Sequence, residues 1–352
     1  MRNNCSVLVR FGFVTLLLCS TTVMTHAATI VVSSTIQAAV DSAQPGDTVF
    51  VPPGIYRENV VVNRNNITIR GGRAAILDGE ALAGNNGIRV AAATPGGRIN
   101  GFRLEGLTIR NYSENGVFLI RVDNFTISDG SYKNNKQYGI YPVRSTNGLV
   151  EDNRTSGSED AGVYIGQSDS VVIRKNYCHG NLIGIEIENS THVEAADNLT
   201  INNSVGIAVS LLPNLSIKIT ENILLKSNIS VNNNRPNLIS DPNEIFSALP
   251  GGVGILVLGG DRVRVRENVV VNNDSSGIGV VRVPSFISDL DPGIDPLPDH
   301  NLIIDNTVLH NGTNPDVRIA PLPGVDLTWD MTGTGNHWVN NRFQTSFPVP
   351  LP

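Results

Sequence analysis

Charge is scarce in this chain: 16% of its 352 residues are Asp, Glu, Lys or Arg, and they sum to −6. A chain with no excess of basic residues lacks the electrostatic footprint of a nucleic-acid or anionic-membrane binder, so neither partner is expected. Methionine is almost missing, with Met331 the one Met after residue 27, and the histidines at 179, 192, 300, 310 and 337 are scattered. Copper or another soft metal would therefore find few ligands. Ser-His-Asp and Cys-His signatures are absent. Long apolar runs are missing too: Phe11–Cys19 is too short for a comfortable bilayer span, and no later segment could cross a bilayer, so no transmembrane segment is expected.

That run belongs to a leader. Arg2 and Arg10 supply positive charge, Phe11–Cys19 an apolar stretch, and Thr25-His26-Ala27 small residues at −3 and −1 for cleavage before Ala28. Residues 1–27 thus read as a secretory signal peptide and residues 28–352 as the mature domain, periplasmic or extracellular. A lipid anchor through Cys19 is disfavoured because Leu18 stands where a small residue is wanted. Cleavage would remove Cys5 and Cys19 and leave Cys178 alone, so no internal disulfide can hold the fold.

What the chain has in quantity is glycine, asparagine and β-branched residues, arranged with a period. Gly followed by Val or Ile recurs at Gly87-Ile88, Gly116-Val117, Gly139-Ile140, Gly162-Val163, Gly184-Ile185, Gly206-Ile207, Gly254-Ile255 and Gly277-Ile278. The central copies lie 22 or 23 residues apart. A second mark, a strand ending in Asn, runs in phase at Asn153, Asn176, Asn198, Asn222, Asn268 and Asn306. A leucine-rich repeat has a similar period, but it needs a leucine framework with helical segments. Here Val and Ile alternate at period two, which signals strands. The chain therefore reads as all-β: a right-handed parallel β-helix, a solenoid of about ten coils, each of two or three short strands joined by tight turns. Stacked Asn would hydrogen-bond along the corners and tolerate the left-handed conformation there.

Solenoid ends need covers. Residues 35–44 read as a short N-terminal capping helix with Thr35 as N-cap and Ile36, Ala39, Val40 and Ala43 on one side. Residues 313–352, rich in Pro and Gly and carrying Trp329 and Trp338, read as the C-terminal cap. Residues 227–252 and 284–300 read as loop insertions, a common place for function.

The segment from Thr35 to Gly71 resembles the opening of pectin-lyase-like β-helix proteins. Residues Tyr138 to Asn214, with YGIYPVRSTN, DAGVYIGQS, HGNLIGIEIENS and VGIAVSLLPN, and then GGVGILVLGGD at 251–261, resemble exported bacterial parallel β-helix repeat-containing proteins. The resemblance spans most of the mature chain and implies the fold, but not a reaction, since relatives include lyases, hydrolases, epimerases and binders. Mannuronan C5-epimerases carry Tyr-Gly-Phe-Asp-Pro-His on such a coil. The similar phrase here is Tyr138-Gly139-Ile140-Tyr141-Pro142-Val143. Tyr141 and Val143 stand at the acid–base positions, which implies the same coil geometry and argues against that reaction.

If the residue after each Gly points inward, the next points outward. That outward column is Arg89, Phe118, Tyr141, Tyr164, Glu186, Ala208, Leu256 and Gly279. With coils about 4.8 Å apart, Phe118, Tyr141 and Tyr164 would form an aromatic ladder suited to sugar rings. Asp160 and Gln167 lie beside it as further substrate contacts. Glu186 and Glu188 would share one face about 6.6 Å apart, and with Arg144 they are the candidate catalytic groups. Two functions follow. One is an exported protein that binds or processes a polysaccharide or oligosaccharide, as a lyase or glycoside hydrolase if it is an enzyme. The other is a non-enzymatic scaffold holding a protein partner through its long loops. No cofactor is expected, save a candidate Ca²⁺ site at Asp289, Asp291 and Asp295, with Asp299 nearby; hard oxygen ligands suit that ion, but the spacing matches no known calcium loop.

Overall fold

A computed structural model of the chain describes residues 27–241 and 245–352. The leader expected over residues 1–27 therefore lies, but for Ala27, outside the described residues. Three parallel sheets of twelve, eleven and ten strands run the length of the described chain, each strand pairing with its counterpart one coil on. This is the right-handed parallel β-helix expected from the repeat. One coil shows the plan: Ile183–Glu188 lies in the eleven-stranded sheet, Glu194–Ala196 in the twelve-stranded and Leu199–Ile201 in the ten-stranded.

The register explains the sequence marks. Ile140 pairs with Val163, Val163 with Ile185, Ile185 with Ile207, Ile207 with Ile255 and Ile255 with Ile278, all wholly buried inside the bore. The preceding glycines are needed for close approach rather than for an unusual φ. A Cβ on Gly184 would meet the Gly206 carbonyl oxygen at 2.5 Å and Asn203 Nδ2 at 3.0 Å. Because coils are in register, one residue type solves the same steric problem in each.

Asparagine stacks as expected, with two corrections. The ladder runs Asn153, Asn176, Asn198, Asn228, Asn268, Asn306: each backbone N–H donates to the next side-chain oxygen at 2.8–3.1 Å. Asn228, not Asn222, is the fourth member, because residues inserted ahead of it lengthen that coil. The left-handed residue is the one before each Asn (Asp152, Lys175, Asp197, Ser227, Glu267 and Asp305), while the Asn faces inward to satisfy backbone groups of the buried corner. A second ladder, Asn181, Asn203, Asn233, Asn273 and Asn311, ends on Asp326.

Helix Ile36–Ser42 buries Ile36, Ala39 and Val40 at one end of the bore, and Thr35 Oγ1 accepts from the Ala38 N–H at 3.1 Å. At the other end Val325–Trp329 and Ser346–Phe347 still belong to the eleven-stranded sheet and His337–Val339 to the twelve-stranded one, so residues 313–352 are partly a continuation of the solenoid. Trp329 and Trp338, with ring centroids 5.5 Å apart, pack on the end of the core together with Leu351.

The interval from Gly206 to Gly254 holds no additional coil, for Val205–Ser210 pairs directly with Val253–Leu258. Residues 211–219, 232–241 and 245–252 leave the coil instead, whereas Ile229–Val231, expected within a loop, is a strand. Residues 284–300 are a loop containing the short helix Ser285–Ser288, and 312–324 form a loop not anticipated. These loops lie against the outer face of the eleven-stranded sheet or beside it.

Candidate functional site

The outward column is in register as expected: Arg89, Phe118 and Tyr141 pair in turn, and Tyr164, Glu186, Ala208, Leu256 and Gly279 follow. Ring centroids are 5.0 Å apart for Phe118–Tyr141 and 4.8 Å for Tyr141–Tyr164. Tyr138, missed in the sequence, joins them at 4.4 Å from Tyr141 and 4.8 Å from Tyr164. It sits just before the repeat Gly, where the column pattern does not reach.

The ladder is not an open track. Tyr164, Glu186 and Glu188 point away from the bore, yet they are 4%, 0% and 6% exposed. Ile239, Phe246 and Leu249 of the 232–252 loop pack with Tyr164, Leu182, Ala208 and Leu256 in a second apolar cluster outside the bore. Asn189 Nδ2 donates to the carbonyls of Leu212 and Ile217, which draws the 211–219 loop over the strand end. The two loops convert a solvent face into a covered one; Phe118 and Tyr141 stay half-buried.

Burial changes the carboxyl chemistry. Tyr164 donates from its hydroxyl to Glu188 Oε1 at 2.7 Å, and Ser210 Oγ lies 3.3 Å from Glu186 Oε1. Burial pushes Glu188 up to about 7, the Tyr164 hydroxyl opposing it. Glu186 is held well above the usual carboxylate range, first by burial and then by the negative fields of Asp160 and Glu188. Asp160 hydrogen-bonds the Tyr138 hydroxyl. Burial pushes Tyr141 up to about 12, with Glu188 and Asp160 adding and Arg144 opposing. Both carboxyls thus bind a proton more tightly than a hydrated Glu does, Glu186 with the added push of Asp160 and Glu188. Neighbouring carboxyls whose proton affinities are displaced by their surroundings are the raw material of acid–base chemistry.

Glu186 Oε2 is buried and has no hydrogen-bond partner. Glu186 also lines a cavity of about 620 Å³ between the sheet and the loops. Ala208, Leu256 and Gly279 lie along it, with Phe246, Ile287 and Ile319 from three different loops. The insertions at 227–252 and 284–300, read from the sequence as a surface for a protein partner, supply cavity wall here through residues 245–250 and through Pro284 and Ile287.

Two expected contacts are placed otherwise. Gln167 Oε1 accepts from Ser216 N–H at 3.1 Å and Ser216 Oγ at 2.6 Å, so it holds the 211–219 loop. Arg144 takes a left-handed corner, φ 53°, and its Nε reaches Gln167 Oε1 at 3.4 Å; its charge reaches Tyr141 rather than the cavity. Two carboxylates of the calcium candidate have protein partners, and the third is exposed. Asp291 pairs with Lys218 and accepts from the Asn214 and Gly293 N–H groups, Asp295 accepts from Leu297 N–H, and Asp289 is exposed. Among the described residues no three His, Cys, Asp or Glu side chains converge to hold a metal.

Fold and site together define a parallel β-solenoid with a loop-covered outer face on one sheet. Residues 54–223 match the family model described as a right handed beta helix region. The chain folds as a right-handed parallel β-helix. Solved structures agree on the fold. The A-module of mannuronan C-5 epimerase AlgE6 from Azotobacter vinelandii is 19% identical, with a TM-score of 0.63 over 88% of this chain and 86% of that one. A double mutant of the periplasmic alginate epimerase AlgG is 16% identical, with a TM-score of 0.52 over 84% of each chain. DFA-IIIase from Arthrobacter chlorophenolicus A6 in complex with GF2 is 13% identical, with a TM-score of 0.58 over 87% of this chain and 80% of that one. No curated protein sequence matches the chain.

Proposed function

We propose that the protein is exported and processes a saccharide at the loop-covered face, with Glu186 as general acid and Glu188 as general base. The observation that carries this is the carboxyl pair itself: two acids on alternate residues of one strand, both facing away from the bore, with raised proton affinities. A strand rise sets such residues about 6.6 Å apart, the lower edge of the separation used for inversion at a glycosidic carbon. Glu186 donates its proton to the leaving oxygen as the bond to the anomeric carbon breaks. Glu188 takes a proton from the attacking water. Tyr164 steadies the Glu188 carboxylate, and Tyr138 and Tyr141 offer aromatic faces to a sugar ring. Support also comes from the neighbours: two are named as epimerases of mannuronan or alginate, and a third was solved with GF2. Export is supported by the leader-like first residues, and no helix among the described residues is long and apolar enough to cross a membrane.

The test is a glycan array and a reducing-end assay on protein beginning at Ala28, with E186Q, E188Q and Y141A beside it. Wild type should bind and turn over at least one glycan. E186Q and E188Q should keep binding and lose about 10²–10⁴ of the turnover expected of a general acid or base. Y141A should weaken binding. Absence of binding to any glycan refutes the reading.

A further inference from the structure

The outward column changes character at Glu186. Before it come Phe118, Tyr141 and Tyr164; after it come Ala208, Leu256 and Gly279. The later members lie along the 620 Å³ cavity, a volume inside the range of roughly 300–1,000 Å³ usual for small-molecule sites. Its remaining lining is largely hydrocarbon, from Phe246, Leu249, Ile287, Ile319 and Pro321. Sugar hydroxyls placed there would give up water and find few partners, so this half of the site does not suit a bare saccharide. Arg282, Arg318 and Asp330 also line it, but each is bonded to other protein groups; of the charged lining residues Glu186 is the one that is wholly buried, with Oε2 unpartnered. A buried acid oxygen without a partner beside largely hydrocarbon walls calls for a ligand that is apolar and carries an oxygen at one end.

We infer that the substrate is an amphiphilic glycoside, an alkyl or aryl group joined to sugar through an oxygen. The apolar aglycone occupies the cavity, the linking oxygen meets the Glu186 carboxylic acid, and the sugar lies toward Tyr138, Tyr141 and Glu188. This rests on the saccharide reading above and narrows it to a substrate class. The reaction balances as hydrolysis. The Glu186 proton goes to the linking oxygen, the bond from that oxygen to the anomeric carbon breaks, and water adds to that carbon while losing a proton to Glu188. The products are the free sugar and the apolar alcohol or phenol, and solvent returns the proton from Glu188 to Glu186.

The structure also supplies a plug. A Cβ on Gly279 would meet nothing closer than Leu256 Cδ1 at 3.7 Å, and its φ is not left-handed, so G279F can fill the cavity without forcing the backbone. L249E tests the opposite wall by placing a charge on the loop. The experiment is isothermal titration calorimetry with octyl glycosides of several sugars, the matching free sugars and 1-octanol, with melting temperatures taken for each variant. For at least one sugar the octyl glycoside should bind wild type ten times or more tighter than either half alone. G279F and L249E should erase that gain with melting temperatures within a few degrees of wild type. If free sugars bind as well as their octyl glycosides, the amphiphile assignment falls and the saccharide reading stands. If 1-octanol binds as well as every glycoside, the cavity takes hydrocarbon alone and the assignment falls. If neither sugars nor glycosides bind, both readings fall.

Discussion

Replacing Glu188 by Gln should make the protein more stable than wild type, and only toward alkaline pH. In the fold Glu188 keeps its proton up to a pH of about 7, whereas the unfolded chain releases it near 4.5. Between these values the folded state binds more protons than the unfolded state, so stability falls as pH rises. The loss begins as pH passes the unfolded value and is complete once it has passed the folded one. A shift of that size corresponds to roughly 3 kcal/mol at about 1.4 kcal/mol per pH unit. Gln has the same shape, stays neutral and still offers an oxygen to the Tyr164 hydroxyl, so E188Q lacks this descent. Glu186 is shifted in the same direction in both proteins, and losing the Glu188 field in E188Q lessens that shift, which adds to the separation in the same sense. Urea denaturation from about pH 4 to pH 8 reads the effect: the curves should coincide at the acid end and separate by roughly 3 kcal/mol, with E188Q higher, at the alkaline end. A difference that stays flat across the range, or favours wild type at pH 8, would refute the burial argument for this carboxyl.

The other structural claims are open to simple tests. Asn198→Ala removes the side chain that accepts from Asn176 N–H and donates to the Ile173 carbonyl, both buried, and should cost about 2–5 kcal/mol in denaturant midpoint analysis. Gly184→Ala pushes a methyl toward the Gly206 carbonyl oxygen and should lower the melting temperature, whereas Gly279→Ala should not. Cys178, wholly buried with its thiol pushed up to about 12, should ignore an aromatic disulfide reagent in the folded protein and react at once after denaturation.

The fold was legible because a solenoid repeats its steric problems. The bore needs Ile or Val, the close approach needs Gly, and the corner needs Asn, so through the central coils each requirement is written into the chain every 22 or 23 residues. The outward column was legible for the same reason, since Ile185 indoors fixes Glu186 outdoors. The cover over that column was not. The 211–219, 232–252 and 284–300 loops occur once each and share no period, so nothing in their spacing says which face they fold onto. The Asn198-to-Asn228 step shows the difficulty: the insertion ahead of Asn228 shifted the expected ladder onto Asn222.

The consequence for function is physical rather than descriptive. An uncovered strand would leave Glu186 and Glu188 as two ordinary ionised surface carboxylates, and alternating residues on any exposed strand could present the same pair. The loops make this pair different. By excluding water they raise both proton affinities, by contacting Asn189 they close one end, and by standing off Ala208 and Gly279 they leave a cavity at the other. The proposed chemistry is therefore a property of aperiodic segments acting on a periodic scaffold. Replacing residues 235–250 by a short Gly-Ser turn tests that dependence in a single variant. The wholly buried bore residues Ile185, Ile207 and Ile255 should hold the coils in place. Glu188, now hydrated, should titrate toward the ordinary range near 4.5, and the pH-dependent gap between E188Q and its parent should collapse. A gap that survives loop removal would mean that the strand, not its cover, sets the proton affinity of the site.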